Sequence, residues 1–492
     1  MSVRSIKGVL WITSGGIASV IIRVGVVAVL ARVLDPSSFG VISAILVVTA
    51  MVDVFGQVGF APALIQKNEL THHDVSTALT FSVILGLVIG TAIFLFAPLI
   101  AALFKLPDLA DPLRLVSLCF PLRAAGIISN ALIRRRMKFR ILAAIDLGSY
   151  ILGYAAVSLT LAVAGAGLWA LVWAQVAQIA LCNLGYIFAS PHPFRLSVHS
   201  QSAKALLSFG GGVTMARIGN YIGMNVDYFV VGRWLGAADL GYYSRAFFLM
   251  QQPTKLIGSI SDQVLLPVFS ALKDEPGRVV QGYYTCMTVI FLLTGLASGQ
   301  LFILAPDFVL LLLGAKWMSV VVPFQFFCLA MPFRIAWKTS SVMITSQGAV
   351  MRQSLWQWSY ALLIFVAAYM GRAWGITGVA AAVSLAMMVN YVVGICVIAT
   401  LYPVTLSREL AIILKCALIA VSGGAATSLL FHILPLEGAG PVARLSVSAV
   451  IGGAQFLLIA AFLERIFPNE GAWLKARVLQ LIGRRSIVPA QH

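Results

Sequence analysis

The chain has 492 residues, of which 60% are hydrophobic and 10% are charged. Soluble proteins carry about 25% charged residues, so this composition excludes a soluble globular domain and indicates a protein embedded in lipid. The formal net charge of +17 would suggest a nucleic-acid partner in a soluble protein. Here Lys and Arg concentrate in loops assigned to one side of a membrane, as the positive-inside rule expects. We therefore expect no nucleic-acid partner.

Apolar stretches separated by Pro, Gly and charged residues predict about fourteen membrane-spanning helices, because each span needs about 20 apolar residues. In chain order they cover residues 9–33, 38–64, 77–103, 112–133, 141–163, 167–190, 207–232, 240–268, 283–305, 320–345, 354–372, 376–401, 409–433 and 441–466. The basic cluster from Arg134 to Arg140 and the basic C-terminal residues place both termini in the cytoplasm. The prediction is an all-α polytopic protein of the cell inner membrane.

The two halves of the chain resemble each other. The segment from Arg32 to Gly40 recurs from Arg233 to Gly241, and the segment from Pro121 to Arg123 recurs from Pro332 to Arg334. Halves with an even number of helices share one orientation and are related by an axis along the membrane normal, so we expect two pseudo-symmetric six-helix lobes around a central cavity. The predicted divisions are lobes at 1–200 and 201–404, an additional helix pair at 405–467, and a basic cytoplasmic tail at 468–492.

Several cations lie within predicted helices. An Arg or Lys at a helix centre costs roughly 2.5–3.5 kcal/mol on insertion scales, while a folded protein has only about 5–15 kcal/mol of net stability. These cations outnumber the acids available in the spans, and the surplus predicts an anionic substrate. The candidate substrate-binding residues are Arg23, Arg123, Arg217, Asn220, Lys255, Arg334 and Lys338.

Helical phase adds to this pattern, since residues three, four or seven apart share a face. Arg217, Asn220 and Asp227 fall within an arc of about 80° at 100° per residue. Asp53, Asp227 and Asp262 are the candidate ion-coupling residues, able to carry a proton or bind Na⁺. Each is equally interpretable as a structural counter-ion, and an ion pair with Asp53 or with nearby backbone carbonyls is an alternative role for Arg123 or Arg334.

Other polar residues have structural interpretations. Arg245 lies near a predicted helix end, where its side chain can extend to the membrane interface. The run from His72 to Asp74 is interpreted as a solvated turn rather than a metal site. The six cysteines are scattered singly through apolar segments, which indicates small core side chains. We expect no metal and no cofactor, and the lack of a G-x-x-x-x-G-K-[ST] motif argues against direct ATP use.

Six stretches carry a resemblance to a known family: Arg32 to Gly40, Gly59 with Ala63 to Ile65, Arg136 to Phe139, Gly167 to Val172, Asp227 to Ala246, and Gly375 to Ala380. With them, the chain resembles the polysaccharide transporters of the multidrug/oligosaccharidyl-lipid/polysaccharide flippase superfamily, in the Wzx-type branch near exopolysaccharide and colanic-acid exporters. The resemblance implies fourteen helices, two lobes plus a terminal pair, and alternating access of a cationic cavity. It also implies an undecaprenyl-pyrophosphate-linked oligosaccharide as cargo, moved to the periplasmic leaflet for exopolysaccharide or lipopolysaccharide biosynthesis.

We therefore expect a transporter and not an enzyme, with membrane lipid, H⁺ or Na⁺, and a glycan polymerase as further partners. Two alternatives stay open. A membrane-embedded glycan polymerase or ligase is expected to carry catalytic carboxylates or His on a long extracytoplasmic loop, and the sequence has no such loop. A cation-coupled drug exporter of the same superfamily needs an acidic or aromatic cavity, whereas these helices are rich in Arg and Lys.

Overall fold

The computed structural model describes residues 3–56, 64–65, 67, 70–190, 197, 199–260, 275–346, 350–433, 440–468 and 470–471. All regular structure in these residues is helical. The first eight helices are α1 (Val3–Val33), α2 (Pro36–Gly56), α3 (His72–Phe104), α4 (Ala110–Ser117), α5 (Phe120–Arg135), α6 (Phe139–Ser149), α7 (Val157–Val163) and α8 (Leu168–Ala189). A π-helical segment (Tyr150–Ala156) joins α6 to α7 without a break.

The remaining helices are α9 (Ser200–Leu235), α10 (Ala237–Ile260), α11 (Pro276–Ile303), α12 (Ala305–Leu312), α13 (Val321–Ser346), α14 (Val350–Gly371), α15 (Gly375–Ala399), α16 (Leu406–Ile433) and α17 (Pro441–Ile466). Short 3₁₀ segments lie at Pro107–Leu109, Ala315–Val320 and Arg372–Trp374. Among the described residues, eight helical stretches are long and apolar enough to cross a membrane, or nine with the bent pair that contains α4 and α5. The polytopic all-α prediction is confirmed, and the count of fourteen stays a prediction.

One of these stretches, Arg352–Ala399, has 48 residues. A straight helix of that length would measure about 72 Å at 1.5 Å per residue, more than twice the roughly 30 Å of a bilayer's hydrocarbon core. The chain instead turns sharply between α14 and α15, where Gly375 adopts a φ of 66°. A Cβ added to Gly371 would lie 2.5 Å from the carbonyl oxygen of Gly378, so the turn brings the two backbones into contact. The stretch therefore holds two spans.

The predicted span at 112–133 is broken in the structure. Helices α4 and α5 meet at a bend of 52°, and Pro121 lies in the first turn of α5. Proline has no backbone N–H to continue the helical hydrogen bonds, which is why the helix restarts there. Arg123 consequently lies near the start of a helix and not at the middle of one.

The chain forms two compact units. Unit 1 comprises Met1–Leu249, Leu312–Pro323 and Val350–Ala386. Unit 2 comprises Met250–Leu311, Phe324–Ala349 and Met387–His492. The lobe boundaries expected from the sequence repeat stay a prediction.

Within unit 1, equivalent positions of the sequence repeat meet. A Cβ on Gly40 would lie 1.8 Å from the carbonyl oxygen of Ala237, and a Cβ on Gly241 would lie 1.9 Å from that of Pro36. The contact is reciprocal, because Pro36 and Gly40 correspond to Ala237 and Gly241 at the repeat shift. No side chain fits at either glycine, so helices α2 and α10 cross with their backbones touching.

The C-terminal end of α1 is held by side chains from the 3₁₀ segment of unit 1. Trp317 Nε1 donates to the carbonyl of Ala31 at 2.7 Å, and Lys316 Nζ donates to that of Leu34 at 2.6 Å. A cation at a helix C-terminus also complements the helix dipole. Phe39 packs edge-on against Trp317 at 5.2 Å between ring centroids, which fixes the start of α2 against the same segment.

The start of α3 is a capping box. Asp74 N donates to Thr71 Oγ1 at 3.2 Å, and Thr71 N donates to Asp74 Oδ2 at 3.0 Å, so two otherwise unpaired backbone donors are satisfied. Lys67 Nζ lies 2.6 Å from the same carboxylate oxygen, and Asp74 is buried. The interpretation of the His-His-Asp run as a solvated turn is therefore wrong for Asp74.

Unit 2 is joined by side-chain hydrogen bonds between helices. Gln300 Oε1 on α11 accepts from Thr427 Oγ1 on α16 at 2.9 Å and from Ser448 Oγ on α17 at 2.5 Å. Ser298 Oγ on α11 donates to the carbonyl of Cys328 on α13 at 2.6 Å. Interhelical bonds of this kind are worth about 0.6 kcal/mol each in a membrane protein. The two Gln300 bonds attach the C-terminal helix pair to α11, and the Ser298 bond attaches α13 to it.

Candidate substrate-binding site

Arg245 is a buried cation on α10, in unit 1. Arg245 is 8% exposed, and its guanidinium carbon lies 4.8 Å from the ring centroid of Phe39 and 5.4 Å from that of Phe248. Nε has no hydrogen-bond partner in the described part of the chain, and none of the ion pairs found there includes Arg245. The interpretation that this side chain extends to the membrane interface is therefore wrong.

A second cation, Arg23 on α1, lies against the π-helical segment. Its guanidinium carbon is 4.3 Å from the ring centroid of Tyr150, and its Nε donates to Ser19 Oγ at 3.3 Å. Tyr150 stacks on Tyr154 with 5.3 Å between ring centroids and 15° between ring planes. The bond to Ser19 involves Nε alone and none of the other N–H groups of the Arg23 guanidinium.

The two arginines converge on the same tyrosine pair. Arg23 and Arg245 each lie within electrostatic range of both Tyr150 and Tyr154. We call these four residues, together with Phe39, the Arg23–Arg245 cluster. It brings together side chains from α1, α2, α10 and the π-helical segment, all within unit 1.

The π-helical geometry positions the tyrosines. Such segments inside α-helices occur frequently at functional sites. Gly153, inside the segment, lies against α8 so closely that a Cβ there would be 2.7 Å from the Cα of Gln178. A larger residue would push the segment away from α8 and displace Tyr150 and Tyr154 with it.

The chemistry of the cluster suits an anion. An arginine side chain keeps its charge in proteins and presents five N–H donors, and its planar fork binds phosphate bidentately. A cation–π contact is worth about 2 kcal/mol when desolvated, which replaces little of the hydration that a buried guanidinium loses. Two such groups near one tyrosine pair suit a phosphate or pyrophosphate ligand.

Asp227, a predicted ion-coupling residue on α9, is 2% exposed. Its Oδ2 accepts a hydrogen bond from Tyr243 Oη of α10 at 2.7 Å. The side chain of Arg217, which helical phase placed on the same face, lies outside the described residues, as does that of Asp53. Asn220 is half-buried, and its Oδ1 has no hydrogen-bond partner among the described residues.

In unit 2, Arg334 on α13 is 5% exposed and its Nη1 lies 3.8 Å from Met387 Sδ of α15. Lys338, one turn further along α13, is half-buried, and Lys255 on α10 is exposed. Arg123 in unit 1 is half-buried at the α4–α5 break, so the two repeat-equivalent arginines differ in their surroundings. Asp262 lies outside the described residues.

Sequence reasoning placed Arg23 among the binding residues but missed Arg245 and the tyrosines. A signal existed for each. Arg245 shares a polar stripe of its helix with Gln252 and Lys255, and the tyrosines follow the four-residue spacing of one helical face.

The fold is similar to that of two groups of solved membrane transporters. The lipid II flippase MurJ in its inward closed conformation matches with a TM-score of 0.77 and 16% identity, covering 93% of this chain and 99% of that one. A multidrug resistance MATE family transporter of the MOP superfamily, in its inward-facing conformation, matches with a TM-score of 0.58 and 16% identity, covering 78% and 94%. The fold therefore defines a multi-pass helical membrane protein of the MurJ and MATE architecture.

Sequence comparison gives the family. The family described as polysaccharide biosynthesis protein matches residues 29–322. The lipopolysaccharide biosynthesis protein WzxC of Escherichia coli (strain K12) is 29% identical over 334 residues, covering 66% of each chain. The succinoglycan biosynthesis transport protein ExoT of Rhizobium meliloti (strain 1021) is 30% identical over 292 residues, covering 59% of each chain. The chain belongs to the polysaccharide biosynthesis protein family, and the resemblance inferred from its motifs is confirmed.

Proposed function

We propose that the protein is a flippase of the cell inner membrane. It moves an undecaprenyl-pyrophosphate-linked oligosaccharide repeat unit from the cytoplasmic to the periplasmic leaflet, for exopolysaccharide or lipopolysaccharide biosynthesis. The names of WzxC and ExoT support the pathway, and the fold shared with the lipid II flippase MurJ supports movement of a lipid-linked sugar.

The observation that carries the proposal is the Arg23–Arg245 cluster. Arg245 is buried and lies in none of the described ion pairs, so its positive charge calls for an anionic ligand. The pyrophosphate of the lipid carrier supplies the negative charge, and its oxygens accept hydrogen bonds from the N–H groups of both arginines. The aromatic walls exclude water and so strengthen the attraction.

The other predicted cations extend this proposal. Arg123, Arg217, Arg334 and Lys338 serve as further contacts along the path of the cargo, and the binding residues are exposed to one side of the membrane at a time. Transport makes and breaks no bond in the cargo, so the protein acts without enzymatic chemistry. Both termini lie in the cytoplasm.

Deleting the gene and locating its lipid-linked products tests the proposal. A flippase deletion leaves single oligosaccharide repeat units on the inner leaflet of the inner membrane. The measurement is accessibility of the repeat unit to a sugar-oxidising reagent that does not cross the membrane, in intact spheroplasts and after lysis. Protection that is lost on lysis is expected. Single units exposed in intact spheroplasts would contradict the proposal and indicate a polymerase.

A further inference from the structure

Unit 2 contains a buried glutamate whose carboxylate is only partly hydrogen-bonded. Glu409, in the first turn of α16, is 0% exposed. One of its oxygens accepts a hydrogen bond from the Tyr391 hydroxyl of α15, and Oε2 has no hydrogen-bond partner among the described residues. The neighbouring cation, Arg408, is engaged elsewhere: it pairs with Glu470 at 2.5 Å and lies 4.1 Å from the ring centroid of Tyr284.

Glu409 ends a chain of hydroxyl groups that crosses four helices of unit 2. Tyr391 neighbours Tyr283 of α11, and the Tyr283 hydroxyl lies 3.3 Å from Ser340 Oγ of α13. All four residues are buried. Among the described residues, the titratable and charged groups that interact with Glu409 are Tyr391, Tyr283 and Glu470 from neighbouring segments, and Arg408 and Cys416 from its own helix.

We propose that Glu409 is a proton-binding site of the transporter, with Oε2 as the atom that takes up and releases the proton. A carboxylate buried with a free oxygen and no cation of its own is costly to keep charged, and a proton removes that charge. Glu409 is a single carboxyl group beside one hydroxyl donor, Tyr391, and a site of this kind suits a proton. The described residues hold no cluster of three or more acidic, His or Cys side chains that would suit a metal ion.

The proton on Glu409 is linked by contacts to Arg334. Tyr391 lies one helical turn after Met387 on α15, so the two side chains share a face. Arg334 Nη1 touches Met387 Sδ at 3.8 Å, and Phe333, next to Arg334, packs against Tyr391 with 6.0 Å between ring centroids. The charged carboxylate holds Tyr391 more firmly than the protonated acid does, because hydrogen bonds to ionised acceptors are stronger.

The consequence for transport rests on the proposed function. A change in the Tyr391–Glu409 bond alters how α15 packs against α13, the helix that carries Arg334. Proton uptake and release at Glu409 therefore bias the position of a proposed cargo-binding arginine. This gives unit 2 a means of linking cargo movement to a proton gradient.

Infrared difference spectroscopy tests the proton site without cargo. The purified protein is reconstituted in liposomes and its spectrum is recorded as the pH is stepped through the neutral range. Wild type is expected to show a protonated-carboxyl band that titrates, and Glu409→Gln is expected to lack it. Glu275→Gln removes an exposed acid that pairs with Arg278 at 2.6 Å and is expected to keep the band. A band unchanged in Glu409→Gln, or no titrating band in wild type, overturns the proposal.

Tyr391→Phe keeps the acid and covers the case in which Glu409→Gln fails to fold. Without its donor, the charged carboxylate loses stabilisation, so the titration is expected to move to higher pH. An unmoved titration would show that the band belongs to another group.

The link to transport is measured separately. Proteoliposomes containing a fluorescent undecaprenyl-pyrophosphate-linked sugar are given a pH gradient, and the sugar's accessibility to a quencher is followed. Wild type and Glu275→Gln are expected to respond to the gradient, and Glu409→Gln to be insensitive. A wild-type response retained in Glu409→Gln overturns the coupling role. A titrating band in a protein that flips no lipid-linked sugar would instead overturn the proposed function and leave the proton site standing.

Discussion

Each unit of the molecule buries a charged side chain in apolar surroundings, Arg245 in unit 1 and Glu409 in unit 2. The surroundings differ. Arg245 lies over aromatic rings, whereas Glu409 accepts a hydrogen bond from a tyrosine. Arginine cannot give up its charge in a protein, but a carboxylate can be neutralised by a proton. A buried arginine therefore calls for a ligand with negative charge, and a buried glutamate for a proton.

The two units also pack their helices differently. In unit 1, Gly40 and Gly241 bring two backbones into direct contact beside the cluster, one residue from Phe39. In unit 2, Gln300 collects hydroxyl groups from two further helices. Unit 2 also has a close approach, since a Cβ on Gly299 would lie 2.8 Å from the carbonyl oxygen of Ala420. The cation site thus lies beside the tighter of these backbone contacts.

Replacing Arg245 gives the largest expected effect. Hydrogen bonds to charged groups contribute about 1.5–3 kcal/mol, so Arg245→Gln is expected to weaken cargo binding by about 10–100-fold. Thermal stability is expected to be unchanged or higher, because an uncompensated buried charge is removed. The measurements are transport in proteoliposomes and unfolding of the purified protein.

The matched control is Arg465→Gln, which removes an exposed arginine lying 5.6 Å from the ring centroid of Phe462. Both arginines face a phenylalanine, and they differ in burial. Lower stability together with lost transport in Arg245→Gln would point to a structural role for Arg245.

Gly40→Ala tests the rigid crossing in unit 1. The added Cβ would lie 1.8 Å from a backbone oxygen, which no side-chain movement relieves. We expect a loss of about 3 kcal/mol in unfolding free energy, the upper end of overpacking costs. Gly148→Ala is the control, since nothing lies within 4 Å of its Cβ, and it is expected to gain up to about 1 kcal/mol. Equal unfolding temperatures for the two variants would refute the close crossing.

Tyr243→Phe tests the hydrogen bond to Asp227, a buried acid of unit 1. Losing the donor is expected to cost about 2 kcal/mol, because a buried carboxylate oxygen then lacks that bond. Tyr242→Phe is the control, since Tyr242 contacts Trp317 edge-on at 5.7 Å and none of the described hydrogen bonds uses its hydroxyl. Denaturant unfolding of both variants measures their losses of unfolding free energy. Similar losses would show that the effect comes from ring packing and not from the hydrogen bond.

Ser448→Ala gives the smallest expected effect, a loss of about 0.6 kcal/mol from one interhelical hydrogen bond of unit 2. Ser446→Ala, on the same helix, removes only a bond to the helix's own Val442 carbonyl and is expected to be neutral. Thermal unfolding in matched detergent separates the two. A loss as large as that of Gly40→Ala would show that unit 2 is also held rigidly.

The sequence predicts the helical membrane class and the Gly40–Gly241 correspondence, because apolar length and a repeated motif are read directly from residue order. Arg245 and Glu409 were not predicted as functional residues because the predicted helix ends were a few residues off. The predicted helix began at residue 240, but α10 begins at Ala237, which places Arg245 eight residues from the helix start and about 12 Å along the axis. Likewise, Glu409 was assigned to the first residue of a helix that begins at Leu406.

The rest of the candidate site depends on features that hydropathy does not encode. The spacing of Tyr150 and Tyr154 places them on one face, but hydropathy does not predict a π-helical segment, so their position beside Arg23 required the folded chain. The break at Pro121 had a sequence signal, since proline removes a backbone donor. It moved Arg123 from an expected mid-helix position to the beginning of α5.

Binding of undecaprenyl pyrophosphate to purified protein tests the central claim most directly. Arg23→Gln, Arg245→Gln and the double variant are compared with wild type by titration calorimetry, which gives a coupling energy between the two positions. If both arginines hold one pyrophosphate, each single variant weakens binding and the double variant loses less than the sum of the two. Wild-type affinity in both single variants would contradict the proposed site, and strictly additive losses would contradict a shared pyrophosphate.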